Sequence, residues 1–114
     1  MNNMEINEYQ SKAVTTAVYP KDKALPYLAL GLSGEAAEVA NKVKKILRGD
    51  YDDDPERAEA ALHAISMELG DTLWYIAVLA AELDTDLNLI AAANLDKLKA
   101  RAEIGTLKGS GDDR

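Results

Sequence analysis

Two long stretches, Pro26 to Arg48 and Pro55 to Leu83, repeat apolar residues at helical spacing, and only a short segment with the acidic run Asp50 to Asp54 separates them. In the first, Leu28, Leu32, Val39, Val43 and Ile46 recur at steps of three, four or seven residues. In the second, Ile65, Leu69, Ile76 and Leu83 do the same. That period places side chains on one side of an α-helix. The apolar content is mostly Ala and Leu, Phe is absent and β-branched runs are scarce, which favours helix over sheet.

Local signals divide the chain into four helices. Tyr9, Ala13 and Ala17 mark a first helix, Asn7 to Val18, stopped by Pro20. Gly49 follows the second helix as a C-cap candidate. Gly31 and Gly34 inside it predict a kink or a close backbone approach. Asp54 caps the third helix, with Pro55 in its first position, and Thr85 caps a fourth that ends near Ala102. The expected fold is an all-α four-helix bundle. Residues 1–104 form one domain, and 105–114, with Gly105, Gly109, Ser110 and Gly111, form a flexible tail. A chain of 114 residues fits one domain.

The formal net charge of -7 argues against nucleic acid as a partner. It also means that a phosphate-bearing ligand needs cations to accompany it. Cysteine is absent, which excludes thiolate chemistry, and with His63 as the single histidine a His-rich zinc or iron site within one chain is not expected. The N-terminus lacks a basic segment followed by an apolar one. The apolar stretch around Ala24 to Leu32 is far short of the roughly 20 residues of a membrane span. The expectation is a cytoplasmic protein without a membrane partner.

Glu35 and Glu38 lie three residues apart on the second helix, and Glu68 and Asp71 do so on the third. Each pair shares a helix face. Leu28, Leu32, Val39 and Ile46 fall within roughly 60° of Glu35 around the axis, and Ile65, Leu79 and Leu83 within roughly 60° of Glu68. The first acid of each pair therefore borders the core stripe, and the second is displaced by about 60° to the same side. Antiparallel packing of the two helices lets all four acids converge on one partly buried spot. Desolvation and mutual repulsion would make that costly without a cation. A hard divalent ion, Mg²⁺ or Mn²⁺, accompanied by a phosphate-bearing ligand, removes the conflict. Glu56 and Glu59 repeat the spacing but point away from the Glu68 face, in the first turns of a helix where acids are favoured anyway. Asp50 to Asp54 lacks the glycine and distal glutamate of an EF-hand.

The segment Gly31-Leu32-Ser33-Gly34-Glu35-Ala36-Ala37-Glu38-Val39, followed by Glu68-Leu69-Gly70-Asp71, resembles the E-x-x-E…E-x-x-D signature of the MazG-like all-α nucleoside triphosphate pyrophosphohydrolases. The resemblance extends from Tyr9-Gln10 to Arg101. It implies Mg²⁺-dependent hydrolysis of a nucleoside triphosphate between the α- and β-phosphates, with two or more ions per site. Glu35, Glu38, Glu68 and Asp71 would be the metal ligands, and Glu38 could double as the base that orients water. It also implies a homodimer or homotetramer (a dimer of dimers) in which two chains build each site.

Asn94, Lys97 and Arg101 share a face of the fourth helix. They are similar to the N-x-x-K-x-x-x-R stretch that holds phosphate or sugar in many relatives, although cations near a helix C-terminus are favoured in any case. Lys42 and Lys45 lie on the Glu38 side of the second helix. Either can reach a phosphate, and Lys42 is also placed for an i,i+4 ion pair with Glu38, the reading favoured here. Tyr75, one turn after Asp71, can stack on a base or hydrogen-bond a ligand. Trp74 points to a helix or subunit interface, and His63 to the surface. Two other readings stand beside the hydrolase. A redox di-metal bundle would need Glu-x-x-His pairs, which the sequence lacks. A non-catalytic nucleotide-binding or structural helical oligomer would bind ligand without turnover.

Overall fold

The long helices form where the periodicity places them, and residues at their ends set the chain reversals. The computed structural model describes residues 3–105. Among these are α1 (Ile6–Val14), α2 (Ala24–Leu47), α3 (Pro55–Glu82) and α4 (Leu87–Glu103), with a 3-10 turn at Lys21–Lys23. The chain is all-α over these residues. The expected tail beyond Gly105 lies outside them.

Three boundaries differ from expectation, each for a local reason. α1 stops at Val14 rather than Val18, because Thr15 and Thr16 turn their hydroxyls back to the carbonyls of Lys12 (2.6 Å) and Ala13 (2.7 Å). Such bonds compete with helix continuation. α2 starts two residues before Pro26, which loses nothing there, since the first four helical N–H groups have no intrahelical partner. Asp86, not Thr85, caps α4, accepting from the Leu89 N–H at 2.8 Å. Thr85 instead completes the end of α3. Its N–H reaches the Ala80 carbonyl and that of Asp84 reaches Ala81, both at 3.0 Å. Asp84 takes the left-handed conformation, φ 57°, that this C-cap requires.

α2 and α3 pack antiparallel, with α1 against α3 and α4 against α1. Gly31 meets the expectation of a close approach. A Cβ there would lie 2.1 Å from Cε1 of Tyr75, whereas Gly34 faces open space. The core sits where α1, the start of α2 and the second half of α3 meet. Leu28, Val78, Ala77 and Ala80 are almost fully buried there, joined by Ala13, Ala24, Tyr19 and Leu87. Burying a side chain such as Leu28 or Val78 contributes about 1.5–3 kcal/mol.

Gln10 ties this core to α4. Its buried amide donates to the carbonyls of Ala77 (3.0 Å) and Thr85 (3.2 Å), and its oxygen accepts from the Leu87 N–H (3.1 Å). Asn7 accepts from the Asn88 N–H at 3.0 Å. Side chains of α1 thus satisfy N–H groups that the first turn of α4 leaves open. Gln10→Ala is expected to cost about 1–3 kcal/mol, the penalty of orphaning a buried donor. A urea-denaturation midpoint equal to wild type would contradict that role.

Much of the apolar stripe stays uncovered within one chain. Leu47, Leu62 and Leu69 are 83%, 61% and 55% exposed. The radius of gyration is 17.4 Å, against about 13 Å for a compact 100-residue domain. By length and composition alone, α3 is long and apolar enough to cross a membrane. Glu68 and Asp71 lie in the middle of α3, where a bilayer would penalise them by several kcal/mol.

Candidate metal centre

The α2–α3 hairpin has two unlike sides. Around α2, Glu35 lies on the α3-facing side and Glu38 is rotated about 60° from it. Around α3, Glu68 faces α2 and Asp71 is rotated about 60° in the matching sense. Antiparallel packing brings the two helices into register at this level. One carboxylate oxygen from each of Glu35, Glu68 and Asp71 lies within 4.8 Å of the others. Glu35 and Glu68 are half-buried and Asp71 is exposed. Glu38 is exposed and is not one of these three, so the structure brings together three of the four acids.

Like charges this close disfavour ionisation. The Glu35 carboxyl is held above the usual carboxylate range. Its hydrogen-bonding contact with Glu68 is the largest cause, followed by desolvation and then the charges of Asp71, Glu68 and Glu38. Glu68 Oε2 is buried with no hydrogen-bond partner. A buried anionic oxygen without a partner is costly, and an all-oxygen donor set suits a hard divalent cation. The residues present therefore fit Mg²⁺ or Mn²⁺.

The raised pKa of Glu35 has a consequence for stability. The folded chain binds this proton more tightly than the unfolded chain, so its contribution is complete below the ordinary carboxylate pKa. It is lost as pH rises through the elevated value. Without divalent ions the Tm is expected to fall across that window, and Glu35→Gln to flatten the fall. Calorimetry at stepped pH checks this, and an unchanged slope in the variant would remove Glu35 as the cause.

Lys42 does not pair with Glu38 as the sequence reading favoured. Its ammonium lies 3.6 Å from Glu68 Oε1, both side chains under one third exposed. Lys42 faces α3 directly, so the less hydrated acid of the neighbouring helix wins over the exposed acid on its own. Lys45 is exposed and turned toward the α2–α3 loop, where its charge helps hold the Asp50 carboxyl below the usual range, after the dominant hydrogen bond from Arg48. Tyr75 is at the acids. Burial is the main cause that pushes its hydroxyl above the usual tyrosine range, with Tyr27, Glu35 and Asp71 adding to it. Trp74 donates to Thr16 Oγ1 at 2.7 Å, joining α3 to the segment after α1. His63 is exposed.

Asn94, Lys97 and Arg101 are not brought to these acids within one chain, because α4 packs along α1 rather than on the α2–α3 pair. Asn94 and Lys97 line a shallow depression with Ile90 and Ala93, whereas Arg101 is buried. Sequence reasoning missed two neighbours of the acids. Tyr9 on α1 is close enough to Asp71 for that charge, after burial, to raise its hydroxyl pKa, and Tyr27 lies beside Tyr75. The spacing of Tyr27, eight residues before Glu35, was the available signal.

The chain is 43% identical over 117 residues to the Gene 37 protein of Mycobacterium phage L5, covering 97% of this chain and all of that protein. No solved structure matches. The MazG nucleotide pyrophosphohydrolase domain matches residues 25–105, from the start of α2 through the end of α4. With two acid-bearing helices packed antiparallel inside that matched span, the chain belongs to the MazG nucleotide pyrophosphohydrolase family.

Proposed function

We propose that this protein hydrolyses a nucleoside or deoxynucleoside triphosphate between the α- and β-phosphates, with Mg²⁺ or Mn²⁺, to give monophosphate and pyrophosphate. The observation that carries this is the convergence of Glu35, Glu68 and Asp71 around an unpartnered buried oxygen, in a chain of this family. These three would hold the metal, with Glu38 one turn along completing a set for two or more ions. Bound there, divalent ions would neutralise the triphosphate and acidify a water for in-line attack. Glu38, exposed beside this group, would orient that water. Lys42 compensates Glu68 in the metal-free chain and is free to turn to a phosphate once cations replace it. Tyr75, beside the acids, would pack under the bound nucleotide, and Lys45 would reach a phosphate only by turning from the α2–α3 loop.

The same reading includes a second copy of the chain. Leu25, Val43 and Leu47 of α2 and Leu62, Leu69 and Leu83 of α3 are exposed. They lie on the side of the hairpin opposite Glu38 and Asp71, by the same rotation about both axes. A two-fold partner covering this side would complete the core. Leu89, Ile90 and Leu95 of α4 are exposed as well and offer a second surface for a dimer of dimers. Because α4 stands away from its own acids, Asn94 and Lys97 would serve a site of the neighbouring chain, whereas Arg101, buried in its own chain, would hold α4 in place.

Incubation with each common NTP and dNTP, with Mg²⁺ or EDTA, and separation of products by anion exchange tests the reaction. Metal-dependent monophosphate and pyrophosphate from at least one substrate is expected. Tight nucleotide binding with no product from any of them would favour a non-catalytic binding module.

A further inference from the structure

Aromatic side chains gather to one side of the acidic cluster. On α2, Tyr27, Gly31 and Glu35 follow at four-residue steps, so they progress along one side of the helix. The Tyr75 ring lies over the Gly31 backbone, where a Cβ would be 2.1 Å from it, and therefore sits between Tyr27 and Glu35. Tyr75 is hemmed in. Gly31 covers it from α2 and Trp74 packs against it at 4.9 Å and 85°. Tyr27 is not, being 45% exposed. Tyr19 backs it with a roughly parallel ring at 5.9 Å and 25°. Tyr19 is buried, its hydroxyl donates to Glu82, and the Lys21 ammonium lies 4.3 Å from its ring centre. An exposed ring on such a fixed backing loses little freedom when something stacks on it.

We infer that Tyr27 is the platform on which the substrate's base stacks, an inference that rests on the pyrophosphohydrolase reading. Tyr27 stands about 12 Å along the helix axis from Glu35, a separation that a nucleotide bridges with its phosphates at the acids and its base on Tyr27. Every base has a π-face, so this platform distinguishes a nucleotide from bare triphosphate rather than one base from another.

The test is calorimetric binding of α,β-imido nucleotide analogues and of inorganic triphosphate, each with Mg²⁺. Tyr27→Ala is expected to weaken nucleotide binding about 5- to 100-fold and leave triphosphate binding unchanged. Tyr27→Phe should retain wild-type affinity and show that the fold is intact. Wild-type nucleotide affinity in Tyr27→Ala, or equal weakening for triphosphate, would overturn the platform. Wild-type protein that binds analogues through Tyr27 but hydrolyses no nucleotide would sink the parent reading alone. Failure to bind any analogue would sink both.

Discussion

Glu35→Gln is expected to lower kcat/KM for nucleotide hydrolysis by at least about 100-fold, since losses of 10–100-fold already follow from removing groups that merely support a metal ligand. Asp71→Asn should behave alike. The loss should not come from unfolding. In the metal-free chain Glu35, Glu68 and Asp71 crowd within 4.8 Å, and the Glu35 carboxyl is held above its ordinary range. Replacing one acid by an amide relieves that repulsion. The metal-free Tm should therefore hold or rise, while the stabilisation that Mg²⁺ gives the wild type disappears. Glu56→Gln is the matched control, from a pair with the same spacing but in the exposed first turn of α3. Steady-state kinetics and calorimetry on the three variants read both effects. Full activity in Glu35→Gln and Asp71→Asn would remove these acids from the mechanism.

Leu69→Glu should break the proposed assembly and take activity with it. Leu69 is 55% exposed on the side of α3 away from Asp71. Burying a leucine contributes about 2 kcal/mol, and a two-fold interface contains each residue twice. The change therefore removes about 4 kcal/mol, or nearly a thousandfold in dimer dissociation constant, before the cost of desolvating the new carboxylate is counted. Sedimentation equilibrium should show monomer at concentrations where wild type is dimeric. Hydrolysis should fall in step, because each site would lose the α4 residues of its neighbour. His63→Glu, also exposed on α3, should leave the assembly unchanged. A wild-type sedimentation profile for Leu69→Glu would place the interface elsewhere.

The sequence by itself determined the helices and the pairing of the acids. Apolar spacing in α2 and α3 and the Asp54–Pro55 start are local properties, decided by a helix period and by N–H groups within one turn. Glu35 and Glu68 bordering the core stripe is a rotation about one axis, so it too is legible in a single helix. What needed the tertiary structure were choices between partners distant in the chain. The structure gave Lys42 to Glu68 instead of Glu38, because α3 covers that side of α2 and desolvates the acid it brings. It left Glu38 outside the group of three acids, and it turned Gly31 into a seat for Tyr75. It also met the open N–H groups of α4 with Asn7 and Gln10 of α1, about eighty residues earlier in the chain. Periodicity fixes which way a side chain points from its own axis, whereas only packing decides what stands in front of it.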